Sequence, residues 1–582
     1  MTTAAGRRGG DWLVRTTGPA EVFSPETTSE EHRLIAQLAA EFVTKEVEPA
    51  LPDLEEKRWD VARRLVLRAG ELGLLGTDVP EKHGGAGLDK AASVIATEAV
   101  GACPSFATTF GGQTGLALIP ILCFGTPEQQ AKYLPGILSG ETVGAYCLSE
   151  SVSGSDALGA RARATRETDG SWRLNGEKLW VTNGGFADVF IVFAKVDGEH
   201  FSAFIVEHGF PGVTRGQEEH KMGLQGSSTT PLLLADAVVP AANLLGQVGK
   251  GHKIAFNVLN YGRLKLAAMC TGGARPALAE AVTYALTRRQ FGQPLASFGA
   301  IQDKFAEMSL RFYGAESMLY RVTGLVDRSI EATSGDEAAV AGVFEEFALE
   351  ASLVKVAASE MVDFVVDENV QIHGGNGFVR DYPAERRFRD ARVNRIFEGT
   401  NEINRLLIPG VLVKRAKSGA LPLFDRIAEA RGDRDTARPT DGPLGTERDV
   451  AAALKEVALV MLGLAIERHG DGLAREQEVL MALSDLIIEA FAAESVVLRA
   501  AARAAEATAD LHADMARVYA LDSALRARGR AVTLAGALES ADTASDVIAH
   551  IDALLPARAV DTLTSRRRIA QAAIDRRRYP FP

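Results

Sequence analysis

Cysteine is scarce in this chain, with four (Cys103, Cys123, Cys147 and Cys270) in 582 residues. No two stand as C-x-x-C, which argues against a disulfide framework and fits buried thiols in a reducing compartment. Long apolar runs are missing as well. The longest, around Leu116 to Phe124, is too short to span a bilayer. The opening MTTAAGRRGGDWLVRTT has no apolar segment of the kind a secretory signal needs. It is poor in acids and contains arginine, so an organelle transit peptide competes with a flexible bacterial N-terminus over residues 1–25. No G-x-G-x-x-G follows a strand, no phosphate-loop G-x-x-x-x-G-K-[ST] occurs, and G-x-S-x-G is absent. His200, His208 and His220 lack ligand spacing, so no metal site is expected. Nor is there a surplus of positive charge. The formal net charge is -12, so bulk charge does not draw the chain to polyanions.

What is present is ordinary globular material, 46% apolar and 24% charged, long enough for about four domains. Leu34, Ile35, Leu38, Phe42 and Val43 recur at helical spacing, and Pro49 and Pro52 are expected to stop that helix. Helical patterns return near Val61–Leu72 and from Ala91 to Leu138, with breaks at Pro104 and Gly125. From about Glu141 the composition turns β-branched and aromatic, with Asn-Gly and Asp-Gly turns, which reads as antiparallel strands and hairpins. Helical periodicity resumes near Gly251. The expected organisation is a flexible N-terminus (1–25), a helical domain (26–140), a middle β domain (141–250), a helical bundle (251–415), a linker (416–446) and a separate, alanine-rich helical domain (447–582). The linker reading rests on RGDRDTARPTDGPLG, dense in Gly, Pro, Asp and Arg.

Three segments carry candidate chemistry. YCLSESVSGSD (Tyr146 to Asp156) packs small and hydroxyl residues so that backbone amides can approach a flat or anionic ligand, though a plain flexible loop reads the same way. LWVTNGG places Trp180 and Thr182 at the opening of a new strand, a stacking wall with a hydroxyl handle or an ordinary core tryptophan. In QIHGGNGFVRDYPAERRFRDARVNRIFEGTNEINRL (Gln371 to Leu406) a helix should end at Gly374-Gly375. Glu398 then sits between Phe397 and Gly399, either a general base or an ion-paired surface residue beside Arg395.

Taken together with VPEKHGGAGL and RRQFG, these motifs in this order resemble the acyl-CoA dehydrogenase family over about Ser29 to Ile408. The appended helical region is similar to that family's extended, very-long-chain branch. The resemblance implies a mainly α fold with a central β domain: an N-terminal helical domain, a β-barrel-like middle domain and a C-terminal four-helix bundle, here with an extra C-terminal helical domain. It implies FAD as cofactor, held by Tyr146, Leu148, Ser149, Trp180, Thr182, Arg288, Gln290, Thr400 and Glu402, with Gln371 and Gly375 reaching a neighbouring subunit's FAD. Ser155, Asn260, Arg263 and Gly399 match substrate-contacting positions. Glu398 matches the base that removes the acyl α-proton while a hydride leaves the β-carbon for the flavin. Some relatives carry the base on a bundle helix, where this chain has Gly262, so Glu398 is the one candidate.

The loop departs from the common T-E-P-x-A-G-S-D, with Ser149, Ser151 and Ser153 for Thr, Pro and Ala. Ser151 gives up a fixed φ. The resemblance further implies an acyl-CoA substrate, electron-transferring flavoprotein as acceptor, a homo-oligomer (a dimer, given the appended domain), a bacterial cytoplasmic setting and a place in fatty acid β-oxidation. The alternatives are an acyl-CoA oxidase and a DNA-binding flavoprotein relative. The latter draws on Arg566-Arg567-Arg568 and Arg576-Arg577-Arg578, although acids surround them. No nucleic-acid partner and at most peripheral membrane contact are expected. Gly111 and Gly112, in the stretch Ala107–Gln113, are expected to deepen the acyl pocket and favour long chains. Phe110 could refill it, and the glycines could equally serve close helix packing.

Overall fold

A computed structural model describes residues 8–333, 337–432 and 440–581. In the N-terminal part, Ser29 caps the helix Glu30–Phe42 by accepting the His32 N–H at 3.1 Å. That helix does not stop at Pro49. A π turn over Val43–Val47 shifts the hydrogen-bond pattern and the helical run continues through Glu48–Glu55 with both Pro49 and Pro52 inside it. Helices Trp59–Glu71, Lys90–Val100, Pro104–Gly111, Leu118–Phe124 and Pro127–Ser139 follow. A second π turn, Gly112–Ala117, fuses the run Pro104–Phe124 into 21 residues. That run is long and apolar enough to cross a membrane, which the sequence reading missed by treating Leu116–Phe124 alone. It is mostly buried inside the protein.

The middle part is one eight-stranded sheet. Its strands are β1 Gly144–Cys147, β2 Arg163–Arg166, β3 Trp172–Thr182, β4 Val189–Val196, β5 His200–Glu207, β6 Val213–Arg215, β7 Thr229–Val239 and β8 Leu244–Leu245. The order is β6-β7-β3-β2-β4-β5-β8, with β1 parallel to β4. Most pairs are antiparallel, but β2 also meets β4 in parallel. β4 is apolar almost throughout because it is central and covered on both faces. Trp180 and Thr182 close β3 rather than open a strand. The Asn175-Gly176 turn signal instead lies inside β3, at a register irregularity.

Four long helices, Gly251–Thr287, Gly299–Glu331, Ala348–His373 and Asn401–Lys417, make the bundle. Beyond it lie Gly445–His469, Gln477–Ala502, Ala509–Leu538, Ala541–Leu554 and Thr562–Arg576. These are not a separate body. Leu483, Ile487 and Phe491 share one apolar core with Phe312, Met318 and Leu349 of the bundle.

The flexible N-terminus is corrected for residues 8–25. Trp12 is buried against Phe491 at 4.7 Å, and the Lys455 ammonium donates to the Trp12 and Arg15 carbonyls at 2.8 Å each. The linker is corrected in its first half. Leu423–Arg431 is a helix with Leu423 and Ile427 buried, a short apolar periodicity that the neighbouring charged run obscured. Residues 1–7 and 433–439, also part of those two expectations, lie outside the described residues.

Candidate active site

Glu398 stands on the turn between Arg392–Arg395 and the helix Asn401–Lys417. Its φ is +57° and that of Gly399 +77°, so two successive left-handed residues turn the chain. Thr400 caps the following helix, its Oγ1 accepting the Ile403 N–H at 3.2 Å. The carboxylate is thereby aimed across the helix Gly251–Thr287. A Cβ built on Gly262 would come within 2.7 Å of Glu398 Oε2. Any side chain at Gly262 would push the carboxylate away, so the glycine is what lets it rest there.

Glu398 Oε2 is buried and has no hydrogen-bond partner. Burial pushes this carboxyl up to about 7, against the opposing charges of Arg263 and Lys355. Arg263 does not spend its guanidinium on the carboxylate. Nε donates to the Glu398 carbonyl at 3.2 Å and Nη1 to Asn260 Oδ1 at 2.9 Å. Asn260, Arg263, Glu398, Gly399 and Thr400 are therefore one assembly. From the sheet, Tyr146 on β1 faces the same space. Its buried hydroxyl has no partner, and burial together with the Glu398 charge holds its pKa well above the usual phenol value.

The loop after β1 forms the adjoining wall. The Leu179 N–H donates to the Ser149 carbonyl at 2.9 Å, and the Lys178 ammonium reaches the Leu148 carbonyl at 3.2 Å and Glu150 Oε1 at 2.6 Å. Glu150 also accepts the Arg161 N–H at 2.6 Å, and Ser153 Oγ donates to the Asp156 carbonyl at 2.6 Å. The serine at 151 thus does not leave the loop slack, because flanking residues fasten it. Ser155 is exposed on its outer side. Trp180, with φ +55°, sits at a bulge in β3 and leaves its side chain 59% exposed, beside half-buried Thr182. An open indole face next to hydroxyls suits a flat heteroaromatic ring with polar edges.

A second group lies elsewhere. Arg288 and Gln290 follow the C-terminus of the helix Gly251–Thr287, 25 residues beyond Arg263, which is roughly 37 Å of helix. Gln371 and Gly375 lie beside them, because His373 stacks on Tyr284 at 4.1 Å and Asn376 donates to the Tyr284 hydroxyl at 2.9 Å. All four are exposed, and so are Phe291 (92%) and Phe378 (85%). A Cβ on Gly374 or Gly375 would meet nothing within 4 Å. A cation, two amides and open glycine backbone fit a phosphate and a nucleobase. Glu402 is exposed on the first turn of its helix. One chain therefore presents a flavin-shaped wall and a separate nucleotide-shaped surface, and these residues fit FAD. Two residues of the first assembly, Lys355 and Asn404, escaped sequence reading. The one signal was a lysine inside the apolar run SLVKVAA.

Comparisons with known proteins identify the family. Residues 29–141, 145–237 and 249–412 match the N-terminal, middle and C-terminal domains of acyl-CoA dehydrogenase, and 453–551 match a further acyl-CoA dehydrogenase C-terminal domain. A probable acyl-CoA dehydrogenase of Bacillus subtilis is 45% identical over 85% of this chain and 84% of its own. The human very long-chain specific enzyme is 35% identical over 82% of this chain and 75% of its own. The crystal structure of an acyl-CoA dehydrogenase complexed with FAD from Bacillus anthracis superposes with a TM-score of 0.97. It is 42% identical and covers 99% of this chain and 100% of that one. The chain belongs to the acyl-CoA dehydrogenase family and is an FAD-dependent oxidoreductase with that family's fold, extended by a further helical region.

Proposed function

We propose that the protein desaturates a long-chain fatty acyl-CoA to the trans-2-enoyl-CoA in β-oxidation, with Glu398 as the base. The observation that carries this reading is the buried, unpartnered Oε2 of Glu398 resting on Gly262. An unsatisfied carboxylate oxygen is free to take a proton, and a pKa near neutrality lets it do so and release it again. Arg263, Asn260 and Gly399 frame the side from which the thioester would enter, while Tyr146 lies opposite. When bound, FAD supplies the hydride acceptor. Because this second group lies at the far end of the helix Gly251–Thr287, we assign Gln371 and Gly375 to a neighbouring subunit's FAD in a dimer, and Arg288 and Gln290 to the cofactor's pyrophosphate and adenine half. Ser155 is assigned to the CoA portion and Glu402 to the cofactor. Electron-transferring flavoprotein is the proposed acceptor. We place the protein in a bacterial cytoplasm, which four free buried thiols support.

Chain length rests on the glycine-bearing helix. Gly112 packs closely, since its Cβ would meet Asn183 Nδ2 at 3.0 Å, so it serves packing rather than cavity. Gly115 is buried, yet its Cβ would meet nothing within 4 Å, which supports an open acyl channel there. The test is anaerobic titration of the flavoprotein with acyl-CoAs of increasing length, following flavin bleaching. The expected optimum lies well above four carbons. Glu398→Gln should keep FAD and bind substrate but lose reduction by several orders of magnitude. Near-normal bleaching in that variant would place the base elsewhere.

A further inference from the structure

Lys355 lies on the third turn of the helix Ala348–His373 and is fully buried. Its ammonium donates to the Gly399 carbonyl at 2.8 Å and to Asn401 Oδ1 at 2.7 Å. Asn401 is in turn fixed by Ser359 and Glu360, through Nδ2 at 3.0 and 3.1 Å. Asn404 Nδ2 lies 3.3, 2.8 and 3.0 Å from the carbonyls of Glu398, Gly399 and Thr400, and Arg263 Nε donates to the first of these. Three consecutive carbonyls of the turn are therefore gripped by two cations and an amide. The grip is needed because Glu398 is a non-glycine residue at φ +57°, a conformation that persists only where surroundings impose it.

We propose that Lys355 is the positioning residue of the catalytic base, holding the Gly399 carbonyl so that the Glu398 carboxylate stays free over Gly262 and in line with the substrate α-carbon. This rests on Glu398 being the base. The division of labour is what makes it work. Cations bonded to the carboxylate itself would occupy the oxygen that must accept the proton, whereas cations bonded to the adjoining backbone fix the turn and still lend their field. Burial pushes Lys355 down to about 8, and its charge opposes the burial that raises Glu398. The charged and titratable groups facing Glu398 are Arg263 from the helix Gly251–Thr287, Lys355 from the helix Ala348–His373 and Tyr146 from β1. Lys355 additionally faces Cys270 and Glu402.

Two variants of the holoenzyme separate clamp from charge. Lys355→Gln keeps a donor but no charge, and Lys355→Met removes both. The expected result for Lys355→Met is a fall in kcat on the order of 100-fold with KM little changed, as for a displaced catalytic group. Both variants should move the acid limb of the pH–rate profile to higher pH. They should move the titration of the infrared carboxyl band that disappears in Glu398→Gln in the same direction. Retained kcat in Lys355→Met, or an unmoved band and limb in Lys355→Gln, overturns the proposal. Should the methionine variant not fold, the glutamine variant decides through the midpoint alone. Failure of the base assignment reads differently: Glu398→Gln would then stay active, whatever Lys355 does.

Discussion

At the residue scale the site is governed by what Glu398 lacks. A carboxylate with an unpaired oxygen in a buried position is costly, and proteins tolerate such groups where chemistry uses them. The neighbouring motif pointed to Glu398, but sequence alone left an ion pair with Arg395 equally plausible. The structure pairs Arg395 with Asp363 at 2.9 Å instead, which leaves Glu398 unencumbered. The lysine at 355 could not be read from spacing, because it matters only through contacts that cross between elements, and the glycine at 262 was picked out by resemblance alone. Glu398 must be ionised to accept a proton, and burial raises its pKa to about 7. The sign follows: kcat/KM should be low at acid pH, climb through about 7 and level off above it. A profile flat between pH 5.5 and 8 would show that a carboxyl near its ordinary value does the work.

At the scale of elements, the helical run Pro104–Phe124 ties the N-terminal helices to the sheet and carries the chain-length proposal. Its π turn brings Gln113 to face β1, where Oε1 accepts the Gly144 N–H at 2.7 Å and Nε2 donates to Ile137 and Thr142 carbonyls. The same turn leaves Gly115 facing open space. Periodicity predicted helix here correctly but could not show a π turn, whose extra residue rotates the following face. Of the glycines singled out in sequence, Gly112 is packed against Asn183, while a Cβ on Gly111 would meet only Met269 Sδ at 3.5 Å. Gly115→Leu should shorten the preferred acyl chain. Each methylene expelled removes about 0.8 kcal/mol, close to fourfold in kcat/KM. Palmitoyl-CoA should therefore suffer far more than butyryl-CoA, and an unchanged ratio between the two would place the channel elsewhere. The arginine runs near the C-terminus read differently once elements are packed. Arg566 pairs with Glu307 at 2.8 Å and with Asp522 at 2.5 Å, and Arg568 with Asp514, so these two serve internal ion pairing, while Arg567 and Arg576–Arg578 are exposed.

On the scale of the whole molecule, the appended helices were legible as helices but not as part of the core. Alanine-rich periodicity says that helices can approach closely and does not say against what. The answer lies in a buried polar knot. Arg499, from the helix Gln477–Ala502, is fully buried and pairs with Glu26 of the N-terminal segment at 2.5 Å and with Glu316 of the bundle at 2.9 Å. Glu316 also accepts from Arg275 at 2.8 Å and from the Tyr579 hydroxyl at 2.9 Å. Burial alone would raise Glu26, yet the charge and hydrogen bonds of Arg499 hold it down to about 2. Three distant stretches of chain thus meet on one guanidinium. Removing it strands the buried Glu26 carboxylate and leaves Glu316 with Arg275 and Tyr579 alone, which costs roughly 3–5 kcal/mol. Arg499→Met should therefore lower the unfolding midpoint sharply, and the loss should appear in flavin release and in far-ultraviolet circular dichroism at the same temperature. Two separated transitions in the parent protein, with Arg499→Met affecting one alone, would mean that the appended helices fold independently of the bundle that carries Glu398.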